Sequence, residues 1–174
     1  MVLDIARLFF LPALMAFAAV SDLLTMTISN RVSLLLVAGF AVLAASSGMT
    51  VNDLLQHGAA GLIVLVVSFA CFAMGWIGGG DAKVASAAAL WFGLPYLLQY
   101  LLCASLFGGA LTLLLLQFRQ WPLPYALGKQ DWLLRLHGRD ADIPYGVALA
   151  LGALAIYPDT PWIQVVDLTR FAMS

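Results

Sequence analysis

The sequence predicts an all-α, polytopic membrane protein with about six transmembrane helices, of which the fourth is short. Two observations lead to this class. Of the 174 residues, 63% are hydrophobic and only 10% are charged, whereas soluble domains carry about 25% charged residues. The mean hydropathy is +0.99, and a soluble domain of this size leaves too much surface in water to hide so many apolar side chains. We therefore expect a single integral membrane domain over residues 1–174.

Six apolar segments are predicted to form the membrane helices, since the hydrocarbon core needs about 20 apolar residues per crossing. They are Ile5–Val20, Ile28 or Val32 to Ser46, Gly58–Ile77, Asp81–Phe92, Tyr96–Phe118 and Ile143–Tyr157. The fourth and fifth are separated at Pro95, because proline removes a backbone donor and interrupts a helix. The fourth would then be only about 18 Å long. The first segment lacks a small-residue cleavage site, so we expect it to be retained rather than removed as a signal peptide.

The basic residues predict the orientation, because cytoplasmic loops carry an excess of lysine and arginine. Six crossings with the N-terminus outside leave only Arg7 and Arg170 on the outer side. The cytoplasmic side then holds Arg31, Lys83, Arg119, Lys129, Arg135 and Arg139. Residues 119–142 would form a cytoplasmic loop, either solvated or lying along the lipid interface. The tail from Asp159 to Ser174 is expected to rest on the outer membrane surface.

Several function classes are excluded or disfavoured by composition. The formal net charge of −1 provides no basic field for nucleic acid. Cys71 and Cys103 lie inside apolar stretches, so neither a disulfide scaffold nor a structural zinc site is expected. His57 and His137 are isolated and are interpreted as boundary residues. We expect no metal and no cofactor.

Two acidic residues stand at the ends of predicted membrane helices. All nine acidic residues are aspartates; Asp22 ends the first apolar segment, and Asp81 begins the fourth directly after Gly78, Gly79 and Gly80. Two crossings separate them, and an even number of crossings returns the chain to the same membrane face. Asp22 and Asp81 should therefore lie on the same side and at similar depth.

A pair of carboxylates at one site points to acid–base chemistry. Two such groups repel each other when both are ionised, so the pair can hold a single proton near neutral pH. The ionised member can take a proton from water while the protonated one polarises a peptide carbonyl, as in aspartic proteases. The run Gly78–Gly80 would permit close approach of a substrate strand. The simpler alternatives are an N-cap role for Asp81 and an ordinary membrane-boundary position for Asp22.

Three motifs, in order along nearly the whole chain, carry a resemblance to a known family. They are Asp22 followed by Ile28-Ser29-Asn30-Arg31, then Gly78-Gly79-Gly80-Asp81-Ala82-Lys83, then Ile143-Pro144-Tyr145-Gly146-Val147-Ala148. Together they resemble the type IV prepilin peptidases, which are membrane aspartyl proteases of the G-x-G-D kind. The similarity is closest to the short members that serve tight-adherence (Flp) pili.

The resemblance implies that Asp22 and Asp81 form the catalytic dyad. It implies as substrate the short basic leader of a prepilin or pseudopilin, cut on the cytoplasmic side of the bacterial inner membrane. The apolar N-terminal helix of the mature pilin would lie in the bilayer beside the enzyme, and the pilus assembly machinery is a further possible partner.

The same resemblance suggests roles for supporting residues, each with a simpler alternative. Lys83 would tune the charge of the second aspartate or orient its loop, or else serve only as a topology signal. Asn30 would hydrogen-bond near the site, or else cap the second helix. Pro144, Tyr145 and Gly146 would form part of the substrate wall, although Pro144 could simply start the sixth helix.

Two departures from the family pattern limit the resemblance. Ser29 replaces a proline that usually follows the first aspartate, a difference that concerns the local turn and not the aspartate itself. The chain also has no Cys-x-x-Cys motif, which accompanies N-methylation of the cleaved pilin in longer members, so we expect peptidase activity without methyltransferase activity.

Two other functions compete with this interpretation. In a non-enzymatic transporter or assembly subunit, the same aspartates would form a proton or cation site, but such sites favour the bilayer midplane and repeated halves. In a presenilin-like protease the first aspartate lies within a span close to a tyrosine, whereas Asp22 follows Ser21 and ends its span.

Overall fold

The computed structural model of this chain describes residues 2–123, 130–138 and 141–166. Its helices are α1 (Val2–Thr25), α2 (Asn30–Ser46), α3 (Val51–Ala73), α4 (Gly79–Phe118), α5 (Asp131–His137), α6 (Tyr145–Ile156) and α7 (Pro161–Gln164), with a 3₁₀ turn at Tyr157–Asp159. No strand occurs within the described ranges, and the all-α prediction is confirmed. The predictions for Lys129, Arg139 and the tail from Asp167 onward fall outside the described residues.

Three helices are long and apolar enough to cross a membrane, namely α1, α3 and α4. The apolar helices α2 and α6 are shorter. Large apolar side chains point away from the bundle, and Phe9, Leu62 and Leu106 are 62%, 61% and 73% exposed. Such a surface is compatible with lipid rather than water. The chain is therefore an all-α membrane protein, while the count of six crossings stays a prediction.

Several helix bounds differ from the predicted ones: α3 ends at Ala73 rather than Ile77, because the chain turns at Gly75 with a positive φ, and α6 covers Tyr145–Ile156 rather than Ile143–Tyr157. α1 continues past Val20 and Asp22 to Thr25. α3 starts at Val51 instead of Gly58, because the Thr50 side chain and Asp53 form a reciprocal capping box that satisfies two backbone N–H groups. Hydropathy alone misses these turns, since their residues are polar.

α4 is broken at Gly93, which lies at φ 60 and ψ 179 and separates residues 79–92 from residues 94–118. The break falls in the predicted interruption around Pro95. Because Pro95 has no N–H, the carbonyl of Trp91 loses its helical partner, and Trp162 Nε1 donates to it at 2.8 Å. His57 Nδ1 similarly donates to the Leu90 carbonyl. His57 thus has a structural role at the kink.

The kink and the first turns of α1 lie at the same end of the bundle. Arg7 donates to Ser47 at 2.8 Å, and its carbonyl accepts from the Tyr157 hydroxyl at 2.6 Å. A cavity of about 370 Å³ at this end is lined by Arg7, His57 and Pro95, among others. The end of α1 and the start of α4 lie at the opposite end, so residues 79–92 lead from the cavity lined by Asp22 and Asp81 to the end that holds Arg7 and His57.

Candidate active site

Asp22 occupies the buried face of α1. The buried residues of this helix are Leu11, Met15, Ala18 and Asp22, at spacings that place them on one side of a helix. The Asp22 residue is only 5% exposed. A carboxylate in this position needs hydrogen-bond partners, because burying a charged group without them costs roughly several kcal/mol.

The partner of Asp22 is the start of α6. The backbone N–H of Gly146 donates to Asp22 Oδ2 at 2.8 Å. A Cβ at Gly146 would lie 2.8 Å from that oxygen and 2.8 Å from Ile28 Cδ1, which is closer than real Cβ contacts come. A glycine is therefore required for α6 to approach Asp22 this closely.

Asp81 lies in the first turn of α4, and Gly78 is the N-cap of that helix. A Cβ at Gly78 would lie 3.0 Å from Asp81 Oδ2, so the carboxyl folds back against the start of its own helix. Unpaired N–H groups at a helix N-terminus attract a carboxylate. The alternative in which Asp81 is the N-cap is therefore wrong, because Gly78, three residues earlier, takes that position. The Asp81 carboxyl nevertheless lies beside the N-cap residue.

The two aspartates line one cavity of about 250 Å³ at the end of the bundle opposite the kink. The loop before α4 forms one wall with Gly75, Trp76, Ile77 and Gly78; the rest comes from Met26, Asp142, Ile143 and Tyr145. A water molecule occupies about 30 Å³ in the liquid, so the cavity has room for water and a peptide bond.

The cavity carries a concentration of negative charge. Asp22, Asp81 and Asp142 all line it, and carboxylates that share a site repel one another when ionised. Asp22 is buried and forms the inner part of the cavity. Asp142 is exposed and forms an acidic rim at its opening. Such an arrangement can hold a proton between carboxylates and attracts a basic ligand.

Residues 9–113 match the family model described as the type IV leader peptidase family. The chain belongs to the type IV leader peptidase family. No curated protein and no solved structure matches the chain significantly. The family assignment makes the chain a membrane-associated protease of the type IV leader peptidase kind, and implies a prepilin substrate.

The matched segment of this leader peptidase includes both aspartates and ends before α6. Gly146, the hydrogen-bond partner of Asp22, lies outside it. The structure therefore adds the start of α6, which lies beyond the matched residues, to the site formed by Asp22 and Asp81.

The three glycines before Asp81 approach other parts of the leader peptidase itself. A Cβ at Gly79 would lie 3.2 Å from the Phe72 ring, and one at Gly80 would lie 3.4 Å from Ile28 Cβ. Glycine at these two positions lets the first turn of α4 pack against α3 and against the segment between α1 and α2. Gly75, in contrast, lines the cavity and faces open space, since an added Cβ there would meet no atom within 4 Å. Its φ is +75.

Lys83 and Asn30 contact each other outside the cavity. Lys83 Nζ donates to Asn30 Oδ1 at 2.9 Å, which ties the start of α2 to the first turns of α4. Ser29, rather than Asn30, is the N-cap of α2, so the capping alternative for Asn30 is wrong. Both residues line a separate groove with Leu62 and Ser86, and neither lines the cavity of the aspartates.

Pro144 and Tyr145 place α6 against the site. Pro144 is buried and is the N-cap of α6, as the helix-start alternative predicted. Tyr145 lines the cavity beside the aspartates, and its ring would contact a Cβ at Gly108 at 3.3 Å. Tyr145 thus connects the cavity with the second half of α4.

Sequence reasoning missed several cavity residues of the leader peptidase. Arg119 holds Asp142 in place by donating to its carbonyl at 3.1 Å and to the Leu136 carbonyl at 2.9 Å. Met26 has a positive φ of 54, which is uncommon for a residue other than glycine, and its N–H donates to the Asp22 carbonyl at 2.7 Å. Neither feature has a signal in hydropathy.

Within the described part of the chain, no group of three or more histidine, cysteine, aspartate or glutamate residues is arranged to hold a metal ion. The carboxyl groups of Asp22, Asp81 and Asp142 line the cavity. Such groups can activate water and protonate a peptide carbonyl.

Proposed function

We propose that this protein is an aspartic endopeptidase that removes the short basic leader of type IV prepilins of the Flp kind, with Asp22 and Asp81 as the catalytic dyad. The observation that supports this most is the cavity that Asp22, Asp81 and Asp142 line together. It combines the carboxylate pair of an aspartic protease with an acidic rim suited to a basic leader.

In the proposed reaction, water attacks the scissile carbonyl carbon. One carboxylate of the pair takes the proton of the attacking water, while the protonated carboxyl donates to the carbonyl oxygen. The tetrahedral intermediate then collapses, the C–N bond breaks, and the amine nitrogen of the mature pilin takes up a proton from the dyad. This scheme needs no metal and no covalent intermediate with the protein.

The proposed location follows from the predicted orientation. With the N-terminus outside the bacterial inner membrane, the cavity faces the cytoplasm, where the prepilin leader is present. The pilus assembly machinery is the proposed further partner. We propose no N-methyltransferase activity, since the Cys-x-x-Cys motifs of the longer members are missing from the sequence.

The test uses the purified full-length protein in detergent, a prepilin of the Flp kind, and the variants Asp22→Asn and Asp81→Asn. Asparagine keeps an oxygen that can accept from Gly146, so the bundle should still assemble while the carboxylate is lost. Both variants should insert into the membrane and fail to shorten the prepilin. Asp159→Asn, at an exposed position in the 3₁₀ turn, is the matched control and should cleave normally.

Near-normal cleavage by either single dyad variant would contradict the assignment. An ordinary signal peptide serves as the second substrate. A transporter or assembly subunit would shorten neither substrate, and a broad intramembrane protease would shorten both; shortening of the prepilin alone supports the proposal.

A further inference from the structure

A second, apolar groove opens sideways from the bundle between the second half of α4 and α6. It encloses about 520 Å³, and its lining includes Leu101, Ser105, Gly109, Leu113 and Leu149. The α4 residues recur every four positions, so they form one stripe along the helix. From Leu101 to Leu113 this stripe is about 18 Å long, which is about three turns of a helix lying beside it.

The apolar groove is continuous with the cavity of the aspartates. Ile77, Asp81 and Tyr145 line both, so a chain that leaves the cavity past Asp81 enters the groove directly. The groove beside Lys83 and Leu62 has a similar volume of about 550 Å³, but neither Asp22 nor Asp81 lines it. Of these two grooves, only the first extends the candidate active site.

The lining of the apolar groove suits an apolar helix. Its floor is closed, because a Cβ at Gly108 would lie 3.3 Å from Tyr145 and 3.6 Å from Ala148. Its open side is formed in part by Gly109, where an added Cβ would meet no atom within 4 Å. Small residues allow helices in a bilayer to approach closely. The Thr112 hydroxyl already donates to the Gly108 carbonyl at 2.7 Å, so it demands no partner from a ligand.

We propose that the apolar groove holds the apolar helix that follows the scissile bond of the substrate, with the scissile bond at the Asp81 end. This inference rests on the proposed function. It gives the substrate a fixed direction: the basic leader lies toward the acidic rim at Asp142, and the apolar segment extends past Tyr145 along Gly109, Ser105 and Leu101, away from that rim and toward the kink.

The first test fills the apolar groove with Gly109→Leu. The new side chain points into open space, so the thermal unfolding of the full-length protein in detergent should be unchanged. KM for full-length prepilin should rise at least tenfold. Gly58→Leu is the matched control, since Gly58 is also helical and exposed with no atom within 4 Å of an added Cβ, and its KM should equal that of the unmodified protein.

The outcomes separate the two proposals. If the unmodified protein cleaves prepilin, Asp22→Asn does not, and Gly109→Leu keeps the normal KM, the groove inference is overturned while the proposed function stands. If the unmodified protein cleaves no prepilin, the proposed function fails. An equal rise in KM for Gly58→Leu and Gly109→Leu would also overturn the groove inference.

The second test detects occupancy directly and does not depend on turnover. A photo-crosslinking amino acid replaces Leu101 in the apolar groove or Leu62 in the groove beside Lys83, each in the Asp22→Asn background. Prepilin should crosslink through its apolar segment at position 101 and not at position 62. Crosslinks to lipid alone at position 101, or to prepilin at position 62 alone, would overturn the inference.

Discussion

The Asp22 Oδ2 atom accepts a hydrogen bond of 2.8 Å from the backbone N–H of Gly146. This contact joins the last turn of α1 to the first turn of α6 across 124 positions of sequence. It satisfies one of the N–H groups that a helix N-terminus leaves unpaired. Since the donor is a backbone group, the orientation of Asp22 depends on how closely the two helices approach, and that distance depends on Gly146.

We predict that Gly146→Ala lowers both stability and cleavage. The added methyl group would lie 2.8 Å from Asp22 Oδ2 and from Ile28 Cδ1, so α6 or the Asp22 side chain must move. Overpacking of this kind costs about 1–3 kcal/mol, and we expect prepilin cleavage to fall at least tenfold. Thermal unfolding in detergent and the rate of leader removal measure the two effects.

Gly58→Ala is the control for that substitution. An alanine there meets no atom within 4 Å, and alanine in a helix is more stable than glycine by about 0.5–1 kcal/mol. We expect unchanged cleavage and unchanged or slightly raised stability. Unaltered cleavage in Gly146→Ala would show that the contact with Asp22 is not needed for activity.

We predict that the contact between Lys83 and Asn30 supports the fold more than the reaction. The two side chains are exposed and joined at 2.9 Å, so their coupling energy should be about 1 kcal/mol or less. A double-mutant cycle with Asn30→Ala and Lys83→Ala, followed by thermal unfolding, measures this coupling. Because both residues lie outside the aspartate cavity, kcat should change less than tenfold. A loss as complete as that of Asp22→Asn would instead place Lys83 in the reaction.

The sequence could predict that Asp22 and Asp81 lie together, because this prediction needs only the ends of the apolar segments and the number of crossings between them. Each residue stands at the end of an apolar segment, and counting crossings places both at the same face. A further local signal is the spacing of Leu11, Met15, Ala18 and Asp22, which continues the buried stripe of α1 through the aspartate. The helix break at Gly93 was accessible for the same reason, since Pro95 is a local interruption.

The remaining part of the site depends on contacts between distant segments. Gly146 reaches Asp22 only because α6 packs against α1, and Asp142 reaches the cavity because Arg119 holds its backbone. Hydropathy and motif spacing record which segments are apolar but not which faces meet. For that reason Asp142 and Gly75 were missed, as was the hydrogen bond between Asn30 and Lys83.

We predict that Trp162→Phe destabilises the protein without acting on the aspartates. Trp162 Nε1 donates to the Trp91 carbonyl at 2.8 Å, which Pro95 leaves without a helical donor. Loss of this donor leaves a buried carbonyl unsatisfied and should cost about 1–3 kcal/mol, seen as a lower midpoint of thermal unfolding. At temperatures where the variant is folded, cleavage should be normal, because the kink lies at the opposite end of the bundle.

Trp121→Phe is the matched control for Trp162→Phe. The Trp121 side chain is 65% exposed, and surface substitutions usually change stability by within about 0.5 kcal/mol. Equal midpoints for the two variants would show that the Trp91 carbonyl does not depend on Trp162.

We predict that residues 79–92 cross the membrane. These residues form a short helix that leads from the cavity lined by Asp81 to the kink at Gly93. Single cysteines at Asn52 and Gln120, in a protein whose Cys71 and Cys103 are replaced by alanine, report the orientation through an impermeant maleimide. Position 52 should react in intact cells, and position 120 only after permeabilisation. If residues 79–92 returned to the face they started from, position 120 would react in intact cells, since the chain between positions 52 and 120 would then cross twice rather than three times.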